Sequence, residues 1–316
     1  MKTQKFDYNK VAIIGCGKVG MTAAYALLLS GVCHEIVLFG RDRSKLLGEK
    51  LDLEHAMALS NKTVITATDD YADLRETDIF VFCAGAPQAP GETRLQLAEK
   101  NLAIVEQMVP KLLEAEPQAI LLMVANPVDL MTLRAQELLQ LRPGQVFGSG
   151  TLLDTARFRF HLSEFLPVNP RSIHAYVLGE HGDHSFPVIS SANIGGQPLI
   201  DFPGFTREMA KEAYQKARDA AYSIIESKGA TYYGIGVSIT KIVKTILMNQ
   251  KTVVPLSTVI NDYYGESGMA VSVPCILGRS GIQKVIGVSL DGSEQGELVS
   301  GVRALKDVYN SIGKNS

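Results

Sequence analysis

Val11-Ala12-Ile13-Ile14 is a short, unbroken apolar run, the pattern of a strand buried on both faces of a parallel sheet. Similar runs recur at Glu35–Phe39, Val64-Ile65-Thr66, Ile79–Cys83, Ile120–Val124 and Gln145–Gly148. Stretches of helical character separate them. Met21–Leu29 is small and apolar and stops at Gly31, Asp42–Leu59 carries an apolar stripe, and Asn101–Leu113 contains Pro110, which is expected to kink it. Alternation of this kind predicts an α/β fold with a doubly wound parallel sheet. The pattern changes after Gly148, so the domain boundary is set there, giving 1–148 and 149–316. The second half reads as α+β. It has a helix from Thr151, an apolar segment ending at His181, a helix from beyond Phe202 to Ser227, a break at Gly229 and a helix from near Thr231. Strands at Thr252–Ile260, Ala270–Leu277 and Gln283–Gly287 and a terminal helix from Ser293 complete it.

Between the first two strands lies Gly15-Cys16-Gly17-Lys18-Val19-Gly20. A Gly-x-Gly-x-x-Gly joining a strand to a helix is the Rossmann dinucleotide fingerprint, so 1–148 is read as the dinucleotide-binding domain. The first glycine makes the turn, the second admits a pyrophosphate, the third lets helix and strand pack, and the helix N-terminus faces the anion. The acidic residue expected after the second strand, to bond the adenosine ribose, is absent, because the chain reads Phe39-Gly40-Arg41-Asp42-Arg43-Ser44. Two readings stand. Gly40 removes the repulsion of a 2′-phosphate and Arg41, Arg43 and Ser44 hold it, giving NADP(H) tolerance or preference; or Asp42 reaches the ribose, or that contact is missing, and NAD(H) serves.

Composition narrows the classes. Of 316 residues 46% are hydrophobic and 20% charged, with net charge −2, which provides no basic surface for nucleic acid or anionic membrane. No apolar run reaches the roughly 18 residues of a membrane span, and Met1–Lys10 does not read as a secretory signal. Cys16, Cys33, Cys83 and Cys275 are scattered, so neither metal nor disulfide is expected and a cytoplasmic location fits.

Candidate chemistry sits after strands and in turns. Ala84-Gly85-Ala86-Pro87-Gln88-Ala89-Pro90-Gly91-Glu92-Thr93-Arg94 reads as a loop with hinge-like ends, on which Arg94 either closes over a substrate or is a plain surface residue. Asn126, before Pro127, is a turn former or faces a nicotinamide. Asp154 and Arg157 share a helix face as an ordinary ion pair or as working groups. His181 stands in Gly179-Glu180-His181-Gly182-Asp183, and an imidazole, with an unperturbed pKa of about 6.5, exchanges protons near neutrality.

In this order and spacing, the Gly15–Gly20 motif, the loop Gln88 to Arg94, Asn126-Pro127-Val128-Asp129, Leu153-Asp154-x-Ala156-Arg157 and Gly179–Asp183 resemble the lactate/malate dehydrogenase superfamily over nearly the whole chain, and within it the bacterial lactate branch. The resemblance implies an NAD-dependent 2-hydroxy-acid dehydrogenase acting on pyruvate and (S)-lactate at the fermentative end of glycolysis. His181 would be its proton donor and acceptor, Asp154 the group orienting His181, and Arg94 the cation for the carbonyl oxygen. Arg157 would grip the substrate carboxylate, Asn126 would touch nicotinamide or substrate, and Thr231 would line the side-chain pocket. Gly15, Gly17, Lys18, Val19, Gly20, Gly40, Arg41, Ala84, Gly85 and Asn126 would form the cofactor site. Gln88 stands where malate dehydrogenases carry an Arg, which favours a monocarboxylate; malate or a branched 2-hydroxy acid is the alternative. Arg159 and His174 coincide with positions that bind fructose 1,6-bisphosphate across a subunit interface, so a homotetramer or homodimer with allosteric activation is expected, or else both have local partners only. A non-catalytic dinucleotide-binding regulatory protein would use Gly15–Gly20 but has no need of Arg94, Arg157 and His181 together.

Overall fold

The computed structural model describes residues 8–86, 91, 93–138 and 141–312. The chain forms two compact units. One comprises Met1–Ser149, Tyr232–Thr252 and Leu277–Gln283; the other comprises Gly150–Thr231, Val253–Ile276 and Lys284–Ser316.

The first unit begins β1 (Lys10–Ile14), α1 (Lys18–Ser30), β2 (Glu35–Phe39), α2 (Arg43–Ala56) and β3 (Val64–Thr68). It continues β4 (Ile79–Phe82), α3 (Arg94–Ala115), β5 (Ile120–Met123), α4 (Val128–Leu138) and β6 (Val146–Gly148). Six parallel strands lie in the order β3-β2-β1-β4-β5-β6. Every residue of β2, β4 and β5 is buried, and apart from Glu35 all are apolar, as expected where both faces of a parallel sheet are covered. Strand order reverses between β1 and β4. Ligands of such sheets bind outside the carboxyl ends of the strands at that reversal.

Two boundaries differ from the sequence expectation. α3 starts at Arg94 rather than near Asn101, because Thr93 caps it: its hydroxyl accepts from Gln96 N–H while the Gln96 side chain accepts from Thr93 N–H. Arg94 therefore opens a helix instead of sitting in the loop. α3 also runs on past Pro110 to Ala115, since one lost backbone bond does not end a helix whose apolar face is buried at Val105, Val109 and Leu112.

The second unit holds α5 (Leu152–Phe165), the antiparallel pair β7 (Ile173–Gly179) and β8 (Ser185–Ile194), the short β9 (Gln197–Pro198), and α6 (Arg207–Lys228), closed by Gly229 at φ 83°. The chain then returns to the first unit as α7 (Tyr233–Leu247), which packs on α1. The sequence pattern gives a helix from near Thr231 but not its partner, and so counts it with the second half. A Cβ on Gly236 would come within 2.7 Å of Thr22 Cγ2, so the close approach of the two helices requires glycine there. β10 (Thr252–Val259), β11 (Ala270–Gly278), β12 (Gly281–Val285) and α8 (Gly292–Ile312) finish the chain, and β11 pairs with β7 at Ser272↔Gly179. In the second unit α5 and α6 pack around a core containing Phe158, Leu162, Ile173, Val177 and Ala213. Truncating the fully buried Phe158 to Ala would cost about 3–5 kcal/mol. No helix among the described residues is long and apolar enough to cross a membrane.

Candidate active site

In the second unit the three chemical residues expected there converge. His181 follows β7, and Asp154 and Arg157 lie on the first turns of α5. His181 Nδ1 is 2.8 Å from Asp154 Oδ2, and Arg157 Nη1 donates to Asp154 Oδ1 at 3.1 Å. One carboxylate thus engages an imidazole with one oxygen and a guanidinium with the other. Burial alone would raise the Asp154 carboxyl, but the adjacent His181 and Arg157 outweigh it and hold its pKa below the usual carboxylate range.

What fixes this geometry lies beside the chemical residues. Thr151, the cap of α5, and Thr155, on it, are both buried, flank Asp154 and bond the backbone of Val177 on β7. Thr151 Oγ1 donates to Val177 O at 2.6 Å, and Thr155 Oγ1 accepts from Val177 N at 2.9 Å. The turn carrying His181 is closed by Glu180, whose Oε2 accepts from His184 N–H at 3.1 Å and lies 2.6 Å from His184 Nδ1. α6 grips the same turn through two hydroxyls: Tyr222 donates to Asp183 Oδ1 at 2.9 Å, and Tyr214 donates to Ser185 O. The sequence reading missed these threonines and tyrosines. The i, i+4 spacing of Thr151 and Thr155 placed them on one helix face, but no local signal pointed that face at β7. Thr231 is half-buried in the segment after Gly229.

In the first unit the three glycines of the fingerprint have three separate reasons. Gly15 adopts φ +96°, and a Cβ on it would meet Ala84 N at 2.6 Å, across the reversal of strand order. A Cβ on Gly20 would lie 2.2 Å from Gly15 O. Gly17 has nothing within 4 Å of that position and caps α1 with no side-chain hydrogen bond, so the backbone N–H groups of Lys18, Val19 and Gly20 open α1 toward that space. Open space above a helix N-terminus suits a pyrophosphate. At the end of β2, a Cβ on Gly40 would touch only Leu46 at ordinary distance, so a side chain there would fit. Asp42 accepts from Lys45 N at 3.0 Å as the cap of α2, while Arg41 is exposed. Gly85 and Asn126 are exposed, after β4 and β5 respectively. Gln88 lies outside the described residues.

Arg159 and His174 occupy neighbouring elements. Arg159 Nε donates to Ala175 O at 2.8 Å and its guanidinium lies 5.4 Å from the centre of the Tyr176 ring, while His174 is exposed on β7. Burial lowers the Arg159 pKa from its usual value. The four cysteines are unpaired, and burial pushes the thiols of Cys16, Cys33 and Cys275 up to about 12, where they are poor nucleophiles.

A dinucleotide sheet in one unit and an imidazole, carboxylate and guanidinium joined in the other are the parts of a nicotinamide-dependent oxidoreductase. Residues 9–148 match the family model for the lactate/malate dehydrogenase NAD binding domain, and residues 151–315 match that for the lactate/malate dehydrogenase alpha/beta C-terminal domain. The chain belongs to the lactate/malate dehydrogenase family. It is 41% identical to an L-lactate dehydrogenase of Geobacillus thermodenitrificans over 95% of this chain and 96% of that one. It is 39% identical to one of Clostridium botulinum over 98% of both. Among solved structures it is similar to a minor L-lactate dehydrogenase from Enterococcus mundtii, with TM-score 0.92 and 36% identity over 96% of this chain and 98% of that one. A lactate dehydrogenase from a Medee basin deep-sea metagenome library gives TM-score 0.93 and 35% identity over 97% and 99%.

Proposed function

We propose that this chain is an L-lactate dehydrogenase that interconverts pyruvate and (S)-lactate with NAD(H). The observation carrying the proposal is Asp154 holding His181 and Arg157 at once. NADH, when bound, supplies the hydride to the keto carbon. His181, its Nδ1 held by Asp154, gives a proton to the keto oxygen from Nε2 and takes it back in the lactate direction. Asp154, kept ionised, fixes the ring and favours the imidazolium, as the carboxylate of a hydrolase triad does. Arg157 grips the substrate carboxylate with a planar pair of N–H groups that a lysine lacks. Arg94 meets the charge growing on the keto oxygen, Asn126 orients the nicotinamide or contacts that oxygen, and Thr231 lines the side-chain pocket. The glycines, Lys18, Val19, Ala84 and Gly85 hold the dinucleotide. Gln88 leaves the second carboxylate of a dicarboxylate unpaired, which disfavours oxaloacetate. In this reading the enzyme is a cytoplasmic homotetramer or homodimer serving the fermentative end of glycolysis.

Loss of NADH absorbance with pyruvate, oxaloacetate and 2-ketoisocaproate tests the substrate. Pyruvate should be turned over fastest, and Gln88→Arg should shift preference toward oxaloacetate; preferred turnover of either rival by the wild type would replace the proposal. NADPH is proposed as a tolerated second cofactor: Asp42 caps α2, Gly40 carries no carboxylate, and Arg41 stands exposed between them just after β2. Arg41→Ala should then cut NADPH turnover far more than NADH turnover, and equal losses would end that part. Fructose 1,6-bisphosphate is proposed to act at Arg159 and His174 across a subunit interface, where like charges meet. A pyruvate saturation curve unmoved by the bisphosphate would refute it.

A further inference from the structure

Asn101 entered the sequence reading only as the start of a helix. It is 2% exposed, on α3, seven residues past Arg94 and so two turns further along the same helix face. Its amide joins two loops that leave the carboxyl ends of adjacent strands. Oδ1 accepts from Ala86 N at 2.7 Å, and Nδ2 donates to Asn126 O at 2.7 Å. Gly85 completes the contact: a Cβ built on it would lie 3.5 Å from both amide atoms of Asn101 and 3.3 Å from Ala125 Cβ. Both loops hold proposed site residues, Gly85 in one and Asn126 in the other, and both positions are exposed. Water in place of the amide would satisfy the two backbone groups, but it would not fix the distance between the loops. We infer that Asn101 is a positioning residue for the reaction, setting Asn126 and the Gly85-Ala86 backbone relative to each other so that the nicotinamide and the keto oxygen meet in register. The inference rests on the proposed role of Asn126.

Two substitutions separate positioning from folding. Asn101→Asp keeps the volume and the bond from Ala86 but sets an oxygen against the Asn126 carbonyl; Asn101→Ala removes both bonds. A misplacement of about 1 Å costs on the order of 100-fold in rate. Each variant should therefore lose about 100-fold in kcat, while pyruvate KM, governed by Arg157, moves less than about threefold. The isotope effect on kcat with NADH deuterated at the transferring position should rise as hydride transfer becomes limiting. Wild-type kcat in both variants, or a fall in kcat matched by the loss of folded protein in thermal melts, overturns the inference. If Asn101→Ala does not fold, the isosteric Asp variant carries the test. A wild-type chain that does not oxidise NADH with pyruvate would sink the proposed function itself, an outcome distinct from a healthy wild type with indifferent variants.

Discussion

The two units build their chemistry from opposite materials. In the first, the proposed dinucleotide site is made by backbone and by missing atoms: a Cβ on Gly15 would strike Ala84 N, one on Gly17 would enter open space, and one on Gly20 would strike Gly15 O. In the second, the proposed catalytic group is made by side-chain atoms that are present, with one carboxylate holding an imidazole and a guanidinium. Adding a methyl group should therefore damage the first unit and deleting a functional group should damage the second. The converse changes should matter less.

Deletion in the second unit gives the largest expected effect. His181→Asn keeps a polar group of similar reach but cannot carry the proton, so kcat should fall by about 10²–10⁴-fold while NADH affinity, measured by its fluorescence, stays put. An active His181→Asn enzyme would end the comparison. Arg157→Lys keeps the charge and loses the planar fork. One charge-assisted hydrogen bond is worth roughly 1.5–3 kcal/mol, so kcat/KM for pyruvate should drop by about 10–100-fold. A Lys variant as good as wild type would show that charge suffices and geometry does not.

Addition in the first unit comes next and sharpens the contrast between its glycines. Gly20→Ala must push the Gly15 carbonyl aside from 2.2 Å, an overpacking that costs about 1–3 kcal/mol and should show as a lower Tm. Gly17→Ala meets no protein atom, so Tm should hold to within about 0.5 kcal/mol of stability while NADH affinity falls. Equal Tm losses in the two variants would show that Gly17 serves the fold rather than the ligand.

The same division explains what the sequence reveals. A backbone-built site depends on local spacing, so Gly15-x-Gly17-x-x-Gly20 between two buried strands announced its sheet, and the order of the six parallel strands agrees. A side-chain site is assembled across the fold. The sequence named Asp154, Arg157 and His181, but not Thr151 and Thr155, which hold α5 against β7, nor Asn101, which ties two loops. Their partners are backbone atoms, and backbone partners leave no trace in residue identity. The capping box at Thr93 and Gln96 was readable in principle but was overridden by the prolines and glycines just before it. The helix from near Thr231 was expected, while only the third dimension shows that it packs on α1.

The smallest effect tests whether the carboxylate is as tightly engaged as its distances indicate. Because His181 and Arg157 hold the Asp154 pKa below its unfolded value, the folded state binds this proton less readily than the unfolded chain. The resulting stabilisation is complete above the unfolded pKa of about 3.9 and drains away as pH falls below it toward the folded value. Other carboxylates titrate in the same range, so the Asp154 contribution is read as the difference between the wild type and a variant that lacks this carboxylate. Asp154→Asn removes the titration altogether. Its Tm should therefore fall less steeply than that of the wild type below about pH 4, and the gap between the two curves should narrow there. Parallel curves in that window would mean that Asp154 titrates alike in both states and that the two contacts to its oxygens contribute nothing to its charge.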